Sequence, residues 1–70
     1  MSSILKILVD IQCIVYCDFV EIGEANPYSL FKMELRKGTY IIDFRKDDIS
    51  LKSIKYKIES DDEDYLLEES

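Results

Sequence analysis

Residues 35–44, with the sequence LRKGTYIIDF, restrict the fold of this chain more strongly than any other stretch. Gly38 can take positive φ at no steric cost, as the tight turn of a short hairpin requires. Beyond this glycine, a face of Tyr40, Ile42 and Phe44 alternates with a face of Thr39, Ile41 and Asp43. A period of two is typical of a strand with one buried face. The segment therefore predicts a β-hairpin that turns at Gly38 and leaves Asp43 on its outer side.

Similar alternation elsewhere predicts further strands around this hairpin. Five strands are predicted in all, at residues 4–11, 13–19, 29–35, 39–45 and 49–59. Outside the return strand of the hairpin, the predicted inward side chains are Leu5, Ile7, Val9, Ile11, Cys13, Val15, Cys17, Phe19, Ser29, Phe31, Met33, Leu35, Ile54, Tyr56 and Ile58. Residues 21–28 contain Gly23 and the Asn26-Pro27 pair and are predicted as a turn. Because no glycine or proline separates the first two strands, one long bent strand is an open alternative there.

A chain of 70 residues with this pattern predicts one small all-β domain. Five short strands with tight connections favour an antiparallel β-sandwich or a small open barrel. The net charge is −6, and all of the excess acid lies in residues 60–70, because residues 1–59 balance nine acidic against nine basic side chains. We therefore divide the chain into a β module at residues 1–59 and an acidic tail, or the start of a linker, at residues 60–70. Ser60 and Glu63 match a helix capping box, so a short helix and a frayed tail are both open for this segment.

Cys13 and Cys17 are not expected to form a disulfide. On one strand their Cα atoms would lie roughly 13 Å apart at about 3.3 Å per residue, whereas a disulfide needs about 7 Å or less. Their phase with Val15 places both thiols inward, which predicts core cysteines rather than nucleophiles.

Several classes of function are disfavoured by what the chain lacks. Histidine, the commonest general base and metal ligand, is absent, so neither enzyme activity nor a metal or cofactor site is expected. The basic residues form no cluster of the kind that binds nucleic acid. No apolar run is long enough to cross a membrane and no secretory signal is present, which predicts the cytoplasm. Envelope association is the expectation if the chain is a fragment of a longer protein.

Candidate binding residues come from the aromatic side chains and from the sheet edges. Tyr16, Tyr28 and Tyr65 are out of phase with the inward faces or lie in turns, and exposed tyrosines can anchor a protein or sugar partner. Edge-strand pairing is a second route, through the first strand or through the fifth. Lys52, Lys55 and Lys57 indicate that the fifth strand is a solvent-facing edge.

The pattern Val15-Tyr16-Cys17-Asp18, then Gly23 and Pro27, then residues 35–44, resembles a PEGA-type domain, a small β-sandwich found in bacterial proteins. The similarity covers residues 9–44. The Pro-Glu-Gly-Ala segment that names the family is replaced here by Ile-Gln-Cys-Ile at residues 11–14, and Phe19 stands where the family has glycine. The resemblance implies a divergent, non-catalytic accessory module of a larger protein, often one at the bacterial envelope.

Together these observations predict a non-catalytic accessory or protein-interaction module within a larger bacterial protein, and they leave the oligomeric state open. Two alternatives remain. An envelope module that binds glycan or cell wall would need its exposed tyrosines in one shared patch. A redox or regulatory module would need an exposed Cys13 or Cys17.

Overall fold

The computed structural model describes residues 2–69, whose regular secondary structure is entirely β. It contains β1 (Ser3–Val9), β2 (Cys13–Cys17), β3 (Val20–Ala25), β4 (Phe31–Leu35), β5 (Gly38–Lys46), β6 (Ile49–Ile58) and β7 (Asp64–Glu69). The all-β class is confirmed, but the predicted number of five strands is wrong, since the described residues form seven.

The strands form two sheets, and neither closes into a barrel within residues 2–69. The smaller sheet has the order β4-β1-β7 and the larger sheet the order β3-β2-β5-β6. Every pairing is antiparallel except that of β1 with β7, which is parallel. Each sheet therefore ends in two edge strands, β4 and β7 in the smaller, β3 and β6 in the larger.

Both sheets contribute to one hydrophobic core, centred on β1 and β2. These two strands alternate strictly between buried and half-buried residues, as the sequence predicts. The buried apolar side chains are Leu5, Ile7, Val9, Cys13, Val15, Cys17, Ala25, Met33, Leu35, Ile42, Phe44 and Ile58. Separate strands β1 and β2 exclude the single bent strand that the sequence left open.

The predicted hairpin at Gly38 is wrong, although its two strands are real. β4 pairs with β1, whereas β5 pairs with β2 and β6, so residues 36–37 carry the chain from one sheet to the other. Gly38 has φ 155° as the first residue of β5. Period-two alternation identifies which face of a strand is buried, but two strands that share one core alternate alike whether or not they pair with each other.

The predicted turn over residues 21–28 is also wrong in its first half, where β3 forms. The actual turn lies at Asp18 and Phe19, which have φ 49° and 68°. Asp18 stabilises it, since its carboxylate accepts a hydrogen bond from the Ile41 amide at 2.9 Å and its own amide donates to the Ile41 carbonyl at 2.8 Å. Phe19, predicted inward, is instead 70% exposed at this turn.

Two other inward predictions fail because the strands are shorter than the apolar pattern. Ile11 is exposed beyond the end of β1, and Ser29 is exposed before the start of β4. Gly23 lies within β3, and close packing explains why this position holds a glycine. A Cβ there would come within 3.0 Å of the Phe31 ring. This contact places the β3 and β4 edges on the same side of the molecule.

Residues 60–70 were predicted as an acidic tail with a short helix as one alternative, and no helix occurs in residues 2–69. Over residues 64–69 the chain forms β7, paired with β1 from Ile4↔Asp64 onwards. The buried Ser3 hydroxyl fixes the approach to this strand, because it donates to the Ser60 carbonyl at 2.7 Å and accepts from the Glu63 amide at 3.1 Å. This part of the predicted tail is therefore a strand of the smaller sheet.

Candidate protein-interaction site

Tyr28 is the most exposed of the three tyrosines predicted to bind a partner. It lies in the connection between β3 and β4, and 97% of its surface is open to solvent. Leu30, two residues further on, is also exposed.

Tyr16 lies on the outer face of β2, away from the core. The Arg45 guanidinium carbon is 4.5 Å from the centroid of the Tyr16 ring, which is cation–π geometry. Its hydroxyl is 3.5 Å from the Glu21 carboxylate on β3. The ring therefore joins three neighbouring strands of the larger sheet.

Tyr65 faces the other way, toward the core. Its ring packs edge-on against Tyr56 with the centroids 6.3 Å apart, and its hydroxyl accepts a hydrogen bond from the Ser60 amide at 3.1 Å. Tyr16 and Tyr65 thus lie on different sheets and on opposite sides of their strands. The structure does not bring these two rings into one patch.

The most elaborate polar cluster of the larger sheet surrounds Asp43, which sequence reasoning did not select. Asp43 does point outward, as predicted, but it is buried, with only 4% of its surface exposed. Its carboxylate accepts hydrogen bonds from Arg45 Nε at 2.6 Å and from Ser50 Oγ at 2.7 Å. Tyr16 is the cross-strand neighbour of Asp43, so the Tyr16 ring and the Arg45 side chain cover the carboxylate.

Local strand geometry explains how these groups meet. Asp43 and Arg45 are two residues apart on β5 and so share a face. A bulge between β5 and β6 shifts the register so that Ser50 lies opposite Arg45 and reaches Asp43. An Asp-x-Arg pair in a predicted strand was the available sequence signal for this network.

The electrostatics favour a charged Asp43. Burial alone would raise the pKa of this carboxyl, but the hydrogen bonds from Ser50 and Arg45 and the charge of Arg45 outweigh it and lower the pKa below its ordinary value. The hydrogen bond between Arg45 and Asp43 also raises the pKa of Arg45. A carboxylate held ionised by a fixed cation is poorly suited to proton transfer and well suited to fixing strand surfaces.

The β6 edge is the longest strand edge of the larger sheet. β6 spans Ile49–Ile58, pairs with β5 on one side and has no neighbour on the other side among residues 2–69. The prediction that this lysine-bearing strand is an edge is confirmed. Edge pairing through the first strand, the other route considered, is excluded because β1 is the central strand between β4 and β7.

An apolar groove of about 220 Å³ opens beside the start of β6. The groove is lined by five apolar residues and two charged ones: Val9, Ile11, Cys13, Phe44 and Leu51, with Asp10 and Lys52. Ordinary small-molecule pockets are about 300–1,000 Å³, so this groove is suited to a single apolar side chain.

Neither cysteine is suited to chemistry at this groove or elsewhere. Cys13 and Cys17 are both buried free thiols. Burial raises the pKa of each, and in Cys13 the Lys46 charge only partly opposes this. A thiol with a raised pKa is a poor nucleophile.

Within residues 2–69, no group of three or more Cys, Asp or Glu side chains is arranged to hold a metal ion. No helix in that part of the chain has the length and apolarity of a membrane span.

No family model, curated protein or solved structure matches this chain. The PEGA-type resemblance therefore stays a prediction.

Proposed function

We propose that this chain is a non-catalytic interaction module whose two sheets pack as a β-sandwich, and that it binds an extended acidic segment of a protein along β6. The accessory role within a larger bacterial protein, expected from the sequence, belongs to the same proposal. The observation that carries it is the β6 edge, which combines length, basic charge and an adjacent apolar groove.

The length of β6 supports strand addition. An extended peptide that pairs with an exposed sheet edge gains main-chain hydrogen bonds along its whole contact. β6 offers ten residues, against six in the β3 edge and five in the β4 edge.

The charge of β6 supports an acidic segment. Lys52, Lys55 and Lys57 lie on this strand, which contains no acidic residue. Neither Lys55 nor Lys57 takes part in an ion pair among the described residues. Lysines on an edge strand repel a second basic strand but not an acidic one. They therefore favour pairing with an acidic segment over pairing with a basic segment.

The groove supports an apolar anchor in the bound segment. Ile49 and Leu51 are exposed on β6 at 65% and 47%, and Leu51 lines the groove. An apolar side chain of a partner that enters here covers surface that water otherwise contacts.

The alternative of a glycan-binding module receives less support. It needs aromatic rings on one face, and Tyr16 and Tyr65 lie on opposite sides of different sheets. Tyr28 alone offers an open ring, so the alternative depends on this one residue.

The proposal is tested by titrating the isotopically labelled chain with a short peptide of alternating glutamate and valine and recording amide NMR shifts. We expect the shifts and the slowed amide exchange to concentrate in residues 49–58. A peptide of alternating lysine and valine should leave these amides unchanged. Equal effects from both peptides, or shifts confined to β3 or β4, would contradict the proposal.

A matched pair of variants separates local from overall charge. Lys55→Glu/Lys57→Glu should weaken binding of the acidic peptide by about tenfold or more. Lys32→Glu/Lys37→Glu makes the same change in net charge on exposed residues outside β6, and should retain most of the affinity.

A further inference from the structure

We infer that the acidic segment that fits β6 is β7 of a second copy of this chain, and that two such pairings close a two-fold dimer. This inference rests on the proposed function, since it names the partner of the same edge. It starts from the observation that the chain carries both a basic and an acidic sheet edge.

β7 has the character that β6 selects. Its sequence is DYLLEE, with no basic residue, and it pairs with β1 on one side only in the described part of the chain. Leu66 on this strand is 54% exposed. It therefore offers an apolar side chain to the exposed apolar residues of the β6 edge.

The outward faces of the two strands match in charge. On β6, Tyr56 and Ile58 point toward the core and Lys55 and Lys57 point out. On β7, Tyr65 and Leu67 point toward the core, which leaves Asp64, Leu66 and Glu68 on the outer side.

If β7 of a second copy extends the larger sheet beyond β6, core faces align with core faces. The carboxylates of Asp64 and Glu68 then lie on the same surface as the two ammonium groups. Opposite charges on neighbouring strands attract. The Asp64 carboxylate already lies 3.5 Å from Lys6 Nζ within its own chain. Because this ion pair is exposed, the carboxylate can also interact with a lysine of the second copy.

Other pairings of these edges are disfavoured. Two β6 strands would set lysines against lysines, and two β7 strands would set carboxylates against carboxylates, which is destabilising. The mixed pairing is the one combination of the two edges in which charges attract.

The position of the two edges explains why the contact closes. β7 follows β6 after a five-residue connection, and the Tyr56 and Tyr65 rings touch, so both edges lie on one side of the molecule. A two-fold axis along that side brings each β6 beside the β7 of the other copy. Both edges of both copies are then used, and no open edge on that side remains to continue into a filament.

The test is sedimentation equilibrium of the full chain over a wide range of concentration, at low and at high salt. We expect a reversible monomer–dimer equilibrium that weakens as salt screens the charges. A chain that stays monomeric at all concentrations would overturn the inference, and so would a dimer unaffected by both variants below.

Two charge-reversal variants and their mixture give the decisive comparison. Lys55→Glu/Lys57→Glu places acid against acid, and Asp64→Lys/Glu68→Lys places base against base, so each alone should dimerise at least about tenfold more weakly. In an equimolar mixture each mutated edge meets a complementary one, so a heterodimer of near wild-type affinity is expected. Circular dichroism checks that both variants fold, and the wild-type sedimentation stands as a test even if one does not.

The outcomes distinguish this inference from the proposed function. A chain that stays monomeric, but whose β6 amides still respond to the acidic peptide, would refute β7 of a second copy as the partner. The same result would support β6 as the binding edge. A different pair of results would refute the β6 edge itself as a binding site. The acidic peptide would leave the β6 amides unaffected at concentrations where the chain is monomeric, and Lys55→Glu/Lys57→Glu would not weaken the dimer that forms at higher concentration.

Discussion

Ser3 and Asp43 are the buried polar residues of the described chain, and they hold their regions together in different ways. Asp43 is charged, joins neighbouring strands of one sheet and is covered by Arg45 and Tyr16. Ser3 is neutral and joins β1 to the distant connection between β6 and β7. A buried charge here consolidates a surface locally, whereas a buried hydroxyl fixes a long-range crossing without burying a charge.

The largest effect is expected from Asp43→Ala. The substitution removes a buried carboxylate that accepts two hydrogen bonds, and hydrogen bonds to charged groups contribute about 1.5–3 kcal/mol. We expect urea denaturation to show a loss of about that size in the free energy of unfolding. Glu34→Ala on the exposed side of β4 should change it by less than about 0.5 kcal/mol. Similar losses in the two variants would contradict the importance of the Asp43 network.

Ser3→Ala should cost less, about 1 kcal/mol. Its two partners, the Ser60 carbonyl and the Glu63 amide, lie in a segment that water can reach, so they are not left fully desolvated. The loss should be local, and amide hydrogen exchange should rise in residues 64–69 more than in β5. Ser53→Ala, at an exposed position of β6, is the matched control. Uniformly faster exchange in both sheets would show that Ser3 does not act through β7.

The two sites should also differ in their response to acid. The pKa of Asp43 is lowered in the folded state, so its stabilisation is present above the ordinary aspartate pKa of 3.8 and is lost as pH falls through the lower folded value. Asp43→Asn should therefore flatten the acid limb of stability against pH relative to wild type. Ser3→Ala should lower the whole curve without changing its shape. An Asp43→Asn curve parallel to wild type would contradict the lowered pKa.

The smallest effect is expected from Tyr16→Phe. The hydroxyl lies 3.5 Å from Glu21, too long for a strong hydrogen bond. The ring that covers Arg45 and Asp43 is kept. Thermal denaturation should show a change within about 0.5 kcal/mol, and a larger one would mean that the hydroxyl, rather than the ring, holds the network.

Much of the core could be predicted from the sequence, because burial leaves a direct mark on period-two alternation. Leu5, Ile7, Cys13 and Val15 are buried as that period indicates. The pairing of strands could not be predicted in this way, as β4 and β5 demonstrate. Alternation reports the face of a strand, whereas its neighbour is decided by how the whole core closes.

The residues that escaped prediction were those whose environment is supplied from far along the chain. An acidic strand such as β7 resembles a solvated tail until β1 is known to lie beside it. Asp43 resembles a surface aspartate until Tyr16 and Arg45 are known to cover it. β3 was missed because Gly23 and the Asn26-Pro27 pair are typical of a turn, and its apolar residues Val20 and Ile22 are exposed rather than part of the core.

The parallel pairing of β1 with β7 has a kinetic consequence. Ile4 meets Asp64, so the central strand of the smaller sheet lacks one of its two neighbours until all seven strands have been synthesised. Contacts this distant in sequence carry a large loop-closure entropy and are associated with slow folding. During synthesis β1 precedes β7, so the smaller sheet can be completed only after β7 has been translated.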